Sequence, residues 1–113
     1  MVQINDIIKK SIQLFIAKLT DNGIRLSAVY LFGSYAKNKE HVWSDIDIAV
    51  VSPDFIKSRL EERIRLTVIA NKIDNRIEPV PFRPNTFIID DPLVWEIKTT
   101  GIPILETTQS SFV

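Results

Sequence analysis

The sequence predicts an α/β (α+β) fold in which helices cover one face of a small mixed β-sheet. Residues 26–32 form a continuous apolar run closed by Gly33, which is typical of a buried strand. Residues 45–51 alternate between two faces, with Ile46, Ile48 and Val50 on the apolar one. Two longer segments, 4–20 and 55–74, carry apolar residues three and four positions apart, the period of a helix.

The first helix should begin at Ile4 and end at Asn22-Gly23, because both of these residues tolerate the left-handed conformation that closes helices. Residues 34–37 have room for a short helical turn. In the second helix, residues 55–74, one apolar stripe is expected to face the core and to be widened by a second set of apolar residues. The stripe is Ile56, Leu60, Ile64 and Val68, and the second set is Leu66, Ile69 and Ile73.

Residues 76–82 should form a strand at the edge of the sheet, because Pro79 and Pro81 both lack an N–H on the same side. A third helix is expected over 92–100, and a last strand over 102–105. The loop before Asp45 is too short for a packed crossover helix. The order α-β-β-α-β-α-β therefore predicts a mixed sheet.

The composition predicts one domain, residues 1–113, with an ordinary globular core. The 14 basic and 14 acidic residues balance, which argues against a nucleic-acid groove or a membrane surface. Without cysteine the chain has no disulfide or thiolate chemistry. No apolar run approaches the ~20 residues of a membrane span, so we expect a cytoplasmic protein.

Three features suggest a phosphate and metal site. Gly33-Ser34 follows a buried strand, where a glycine lets the backbone approach a phosphate. Asp45 and Asp47 lie on one strand face, and paired carboxylates suit Mg²⁺. Glu78, in a neighbouring strand, can complete a two-metal site. Each feature alone has a simpler interpretation as a turn, a solvated strand face or a surface charge.

The joint pattern Gly33-Ser34, ten residues, then Asp45-Ile46-Asp47 resembles the G-S-x10-D-x-D signature of the DNA polymerase β-like nucleotidyltransferases. The surrounding sequences, LFGSYAK and WSDIDIAVV, are similar to those of the minimal nucleotidyltransferases (MNT proteins) of prokaryotes. The resemblance extends over most of the chain and implies a nucleotidyltransferase fold.

The resemblance also implies a function. MNT-like proteins bind ATP or another nucleoside triphosphate with Mg²⁺, and many are antitoxins that bind and adenylylate a HEPN-domain toxin. By this resemblance Asp45, Asp47 and Glu78 would be catalytic and would hold two magnesium ions. Gly33 and Ser34 would contact phosphates, and Lys37 keeps a positive charge able to meet them.

Two departures from the family pattern leave other functions open. The third carboxylate is Glu78 where Asp is more usual, and the familiar Ala-Arg-Gly is here Ala36-Lys37-Asn38. The alternatives are a partner module that neutralises a toxin by binding alone, and an antibiotic-type enzyme that modifies a small molecule. Val80 and Phe82 should share the face of Glu78, and either a helix or tail, or a docked partner or second copy, would cover them.

Overall fold

A computed structural model describes residues 6–37 and 44–106, and its elements have the predicted order. The predicted helix start at Ile4 lies outside these residues, and residues 33–37 form a turn in which the Lys37 N–H donates to the Gly33 carbonyl (3.1 Å). Across the described ranges no helix is long and apolar enough to span a bilayer. The elements are α1 (Asp6–Asp21), β1 (Ala28–Phe32), β2 (Ile46–Val51), α2 (Arg59–Asn71), β3 (Ile77–Phe82), α3 (Pro92–Thr100) and β4 (Ile102–Glu106).

The four strands form one sheet in the order β3-β2-β1-β4. Strand β1 is antiparallel to both β2 and β4, while β2 and β3 are parallel. The mixed sheet is therefore confirmed. The edge position of β3 is confirmed as well, and it follows from Pro79 and Pro81, which cannot donate hydrogen bonds to a further strand.

The two long helices cover one face of the sheet. Strand β2 contributes Ile46, Ile48 and Val50 to this core, as the alternation predicted, and each is fully buried. The helices contribute a set of buried apolar side chains that pack against these strands. They are Ile8, Ile12, Phe15 and Leu19 from α1, and Leu66, Ile69 and Ala70 from α2.

The short helix α3 lies against the other face. The prediction of helices on one face therefore describes α1 and α2 alone. Val94 and Ile97 of α3 are fully buried in a second cluster with Ala49, Val51 and Phe82. A helix, rather than a docked partner or a second copy, thus covers the apolar residues that continue the face of Asp47 and Glu78.

The predicted core stripe of α2 is wrong. Leu60, Ile64 and Val68 are 69, 56 and 54% exposed, and Ile56 lies in the loop before the helix. The helix starts later than expected, at Arg59, because the Ser58 hydroxyl caps it by accepting from the Glu61 N–H. The row that faces the sheet is Glu62, Leu66, Ile69 and Ala70.

Buried Glu62 explains the error. Its side chain is 2% exposed, accepts a hydrogen bond from the Lys57 N–H (3.1 Å) and pairs with Arg65 (3.5 Å). A glutamate that is satisfied in this way can lie on the inward face, whereas sequence periodicity places it outside.

The orientation of α2 predicts unequal effects for two similar substitutions. Leu66→Ala should lower the free energy of unfolding by about 2–5 kcal/mol, because it opens a cavity in the core. Ile64→Ala, two residues away on the outward face, should change it by about 0.5 kcal/mol or less. Urea denaturation of both variants measures the difference. Equal losses would contradict the orientation of α2.

Candidate functional site

The end of β1 and the start of β2 bring the Gly-Ser turn to the paired aspartates. The register pairs Phe32 with Asp47, so Gly33, the next residue, lies directly against the Asp47 side chain. Asp45 immediately precedes β2 and is exposed, whereas Asp47 is half-buried within the strand. The site is therefore built where an antiparallel strand pair ends.

Gly33 fits this position for two reasons. Its φ is +74°, a conformation that side-chain-bearing residues rarely adopt. A Cβ atom placed on it would also collide with the Oδ2 atom of Asp47. The close approach of the backbone to Asp47 therefore requires glycine at this position. Ser34 lies next in the same turn, partly exposed.

Glu78 lies beside Asp47 in the sheet. The parallel pairing of β2 and β3 sets the two residues opposite each other, on the same face. This placement agrees with the sequence-based expectation for the third carboxylate. The Glu78 side chain is 44% exposed, and its Oε1 atom lies 3.6 Å from a guanidinium nitrogen of Arg63 in α2.

The environment raises the pKa of Asp47 to about 6. Burial is the largest cause, since it disfavours the charged form, and the charges of Asp45 and Glu78 add to it. The cation of Arg63 acts in the opposite direction, and Glu96 of α3 raises the pKa slightly further. The carboxylates are therefore close enough to repel one another.

Lys37, expected to meet phosphate, is held by a carboxylate. Its ammonium lies 3.1 Å from the Oε2 atom of Glu96, and both side chains are about 40% exposed. Sequence reasoning identified neither Glu96 of α3 nor Arg63 of α2 as a neighbour of the candidate site. Neither residue belongs to a recognisable sequence motif, because each comes close to the site only through the way its helix packs against the sheet.

The donor set suits a hard cation. Within residues 6–37 and 44–106 no group of three or more Asp, Glu or His side chains is arranged to hold a metal ion. Asp45, Asp47 and Glu78 nevertheless offer the oxygen ligands that Mg²⁺ takes, and the first and last of them raise the pKa of Asp47. A divalent cation would relieve the repulsion that this shift reveals. The chemistry of these three carboxylates therefore suits a divalent cation, although their positions in the described structure do not form a metal-binding group.

Fold and site together define a nucleotidyltransferase domain. The family model described as "Polymerase beta, Nucleotidyltransferase" matches residues 13–110, and the chain belongs to this family.

Within the family, the chain is similar to protein adenylyltransferase MntA of Shewanella oneidensis, with 32% identity over 80 residues. That match covers 71% of this chain and 57% of MntA, so the chain spans little more than half the length of this relative.

Solved structures show the same similarity. A crystal structure of the toxin–antitoxin pair MntA–HepT matches with a TM-score of 0.62 and 27% identity, over 90% of this chain and 75% of the other. A crystal structure of the toxin–antitoxin with AMP-PNP matches with a TM-score of 0.60 and 32% identity, over 84% of this chain and 73% of the other. These matches confirm the predicted fold and the resemblance to MNT proteins.

Proposed function

We propose that this chain is a Mg²⁺-dependent nucleotidyltransferase that uses ATP or another nucleoside triphosphate and serves as the antitoxin of a HEPN-type toxin in the cytoplasm. One observation carries the proposal: the glycine turn lies against Asp47, and Asp47 lies opposite Glu78. A backbone that can approach phosphates is thereby placed beside carboxylates that can hold their counterion.

The proposed roles follow from position. Asp45, Asp47 and Glu78 would bind two magnesium ions, which neutralise phosphate charge when bound. Gly33 and Ser34 would contact the phosphates, through backbone N–H groups and a hydroxyl. Lys37 would contribute a positive charge next to this turn if nucleotide binding drew it away from Glu96.

The reaction would be an in-line displacement. An acceptor hydroxyl attacks the α-phosphorus, the bond to the bridging oxygen breaks, and pyrophosphate leaves. Glu78 is the proposed base that takes the hydroxyl proton, because it is the outermost of the three carboxylates, on the edge strand. Arg63 would orient Glu78 through their ion pair.

The comparisons support a protein acceptor. The similar protein MntA is a protein adenylyltransferase, and MntA–HepT is a toxin–antitoxin pair. The structure with AMP-PNP, an ATP analogue, supports a nucleoside triphosphate as the donor of the transferred nucleoside monophosphate. We therefore propose that a toxin protein accepts the nucleoside monophosphate.

A binding-only antitoxin is the second candidate. Two of the proposed site residues are already engaged by opposite charges, Lys37 by Glu96 and Glu78 by Arg63. If these ion pairs persist, the fold would neutralise its partner by contact without transferring a nucleotide.

The test is transfer of label from α-labelled ATP, with Mg²⁺, to the protein encoded beside this chain. Label should appear with the wild type and with Asp21→Asn, a matched change of an exposed carboxylate at the end of α1. It should be absent with Asp45→Asn/Asp47→Asn. A stable complex without label would favour the binding-only antitoxin. Label that the double variant still transfers would refute the site.

A further inference from the structure

A cleft of about 320 Å³ lies at the other end of β3 from Glu78. It opens where β3 ends and α2 begins, and the segment that precedes α3 closes its third side. The apolar part of its wall is Phe55, Pro81 and Phe82. Phe82 is four residues beyond Glu78, about 13 Å along the strand, so the cleft is separate from the candidate site.

Three cationic side chains line this cleft: Lys57, Arg59 and Arg83. None of them forms an ion pair with a carboxylate in the part of the chain that the structure describes, whereas five other basic side chains do. The cleft therefore gathers cations whose charge no neighbouring carboxylate neutralises.

Neutral groups hold the two guanidinium groups in place. Arg59 lies over the ring of Phe82, 4.7 Å from its centroid. Arg83 donates hydrogen bonds to the carbonyl of Phe55 and to that of Lys57, the second at 3.5 Å. A ring or a carbonyl fixes a guanidinium without cancelling its net charge, and each guanidinium has five N–H donors. Both cations are thus positioned in advance and keep donors for a ligand.

Two carboxylates also line the cleft, and both have partners. Buried Glu62 accepts a hydrogen bond from the Lys57 N–H (3.1 Å) and pairs with Arg65 (3.5 Å). Asp91 caps α3, where it accepts a hydrogen bond from the Leu93 N–H (2.9 Å). The side chains that remain available to a ligand are therefore the cationic ones.

We propose that this cleft binds a phosphate group, in the form of a phosphomonoester dianion. Its three terminal oxygens allow one tetrahedral group to contact all three cations, whereas a carboxylate offers two oxygens and a single charge. The apolar wall lowers the local dielectric constant, which strengthens the attraction. A small molecule or a phosphorylated side chain of another protein presents the same chemistry. Binding here does not depend on nucleotide transfer.

Titration with inorganic phosphate at pH 7.5, without Mg²⁺, tests the proposal. The side-chain Nε–H signals of Arg59 and Arg83 are followed by NMR. Both should shift with one common Kd, on the order of 1 mM. Acetate at the same ionic strength should bind at least about tenfold more weakly, because it brings one charge in place of two.

Variants locate the binding. Lys57→Gln/Arg59→Gln should weaken phosphate binding at least about tenfold and keep the far-UV circular dichroism of the wild type, since both side chains are exposed. Lys57→Gln alone, which removes an ammonium without an ion pair among the described residues, should weaken it about threefold.

Two controls bind phosphate normally if the proposal holds. Lys9→Gln/Lys10→Gln removes the same charge from exposed positions of α1. Asp45→Asn/Asp47→Asn alters the candidate site and separates phosphate binding from the proposed transferase function.

Phosphoserine, free and within a five-residue peptide, distinguishes the two sources of the phosphate. Tighter binding of the peptide assigns a phosphorylated protein, and equal binding assigns a small molecule. Three results would overturn the proposal: acetate binding as tightly as phosphate, an equal loss in Lys9→Gln/Lys10→Gln, or no saturable shift of Arg59 and Arg83 at tens of millimolar phosphate.

Discussion

Asp47→Asn is expected to stabilise the free protein at neutral pH while lowering nucleotide transfer about a thousandfold. Burial and the charges of Asp45 and Glu78 raise the pKa of Asp47 to about 6, so its ionised form destabilises the folded state. The neutral amide removes that cost. Since the side chain is only half-buried, we expect a gain of about 1–2 kcal/mol at pH 7.5, or roughly 5 °C in Tm.

The raised pKa of Asp47 also fixes the direction in which the stability of the folded protein changes with pH. Between about pH 4 and 6 the folded state binds a proton at Asp47 that the unfolded state releases, so wild-type stability falls as pH rises through this window. Above about pH 6 Asp47 is ionised in the folded state, and its charge lowers the stability by the full amount. The advantage of the Asn variant should therefore shrink as pH falls through 6, and should vanish below about 4.

Asp74→Asn provides a control with the opposite sign. The guanidinium of Arg76 holds the pKa of Asp74 below its usual range, mainly through a side-chain hydrogen bond, so this carboxylate stabilises the fold above its ordinary pKa. Its replacement should lower Tm at pH 7.5. Thermal unfolding of the three proteins between pH 4 and 8 measures both effects, and a lower Tm for Asp47→Asn at pH 7.5 would contradict the argument.

Activity should change in the other direction. Transfer by Asp47→Asn is expected to fall about a thousandfold, because the charge stabilisation supplied by a bound metal amounts to several kcal/mol. Mg²⁺ should raise the Tm of the wild type and leave that of Asp45→Asn/Asp47→Asn unchanged. Retained Mg²⁺ stabilisation in the double variant would refute metal binding at these aspartates.

Gly33→Ala is expected to damage both the fold and the site. The new methyl group would occupy a backbone at φ +74° and collide with Oδ2 of Asp47. The conformation alone costs about 1–2 kcal/mol, and the collision must displace Asp47 or the turn. We expect a total loss of about 3 kcal/mol or more, together with loss of nucleotide affinity.

Gly23→Ala separates the two costs. Gly23 has a similar φ of +79°, but a Cβ atom there would meet nothing within 4 Å. This variant should lose only about 1–2 kcal/mol and should keep its affinity for nucleotide. In a double-mutant cycle, Asp47→Ala should recover part of the stability lost in Gly33→Ala. Equal losses for the two glycine variants would show that the collision is relieved without cost.

Local signals were sufficient to predict the strands and to place Asp47 and Glu78, two of the proposed site residues, on one face of the sheet. The alternation of Asp45 and Asp47 with isoleucines predicted which face of β2 each residue occupies. The two prolines of β3 predicted its edge position, and the sheet order confirms it. These predictions succeeded because a strand has only two faces, so a short pattern decides between them.

The orientation of α2 and the contacts of Arg63 and Glu96 depend on tertiary packing, and the sequence did not predict them. Leu60 and Ile64 form a row as apolar as the inward one, and buried Glu62 makes the inward row look polar, so periodicity could not choose the face of α2. The contacts of Arg63 and Glu96 depend on how two helices approach the sheet. No spacing along the chain encodes that approach.

The prolines of β3 also limit how another chain can associate with the sheet. Arg76 and Phe82 accept hydrogen bonds from Ile46 and Ser52, so the even-numbered residues of this segment point their backbone groups toward β2. The odd-numbered ones point outward, and at positions 79 and 81 they have no N–H to offer. A neighbouring chain cannot extend the sheet in register along this border, which guards against fibrillar stacking. A partner that associates at this border must therefore do so without extending the sheet.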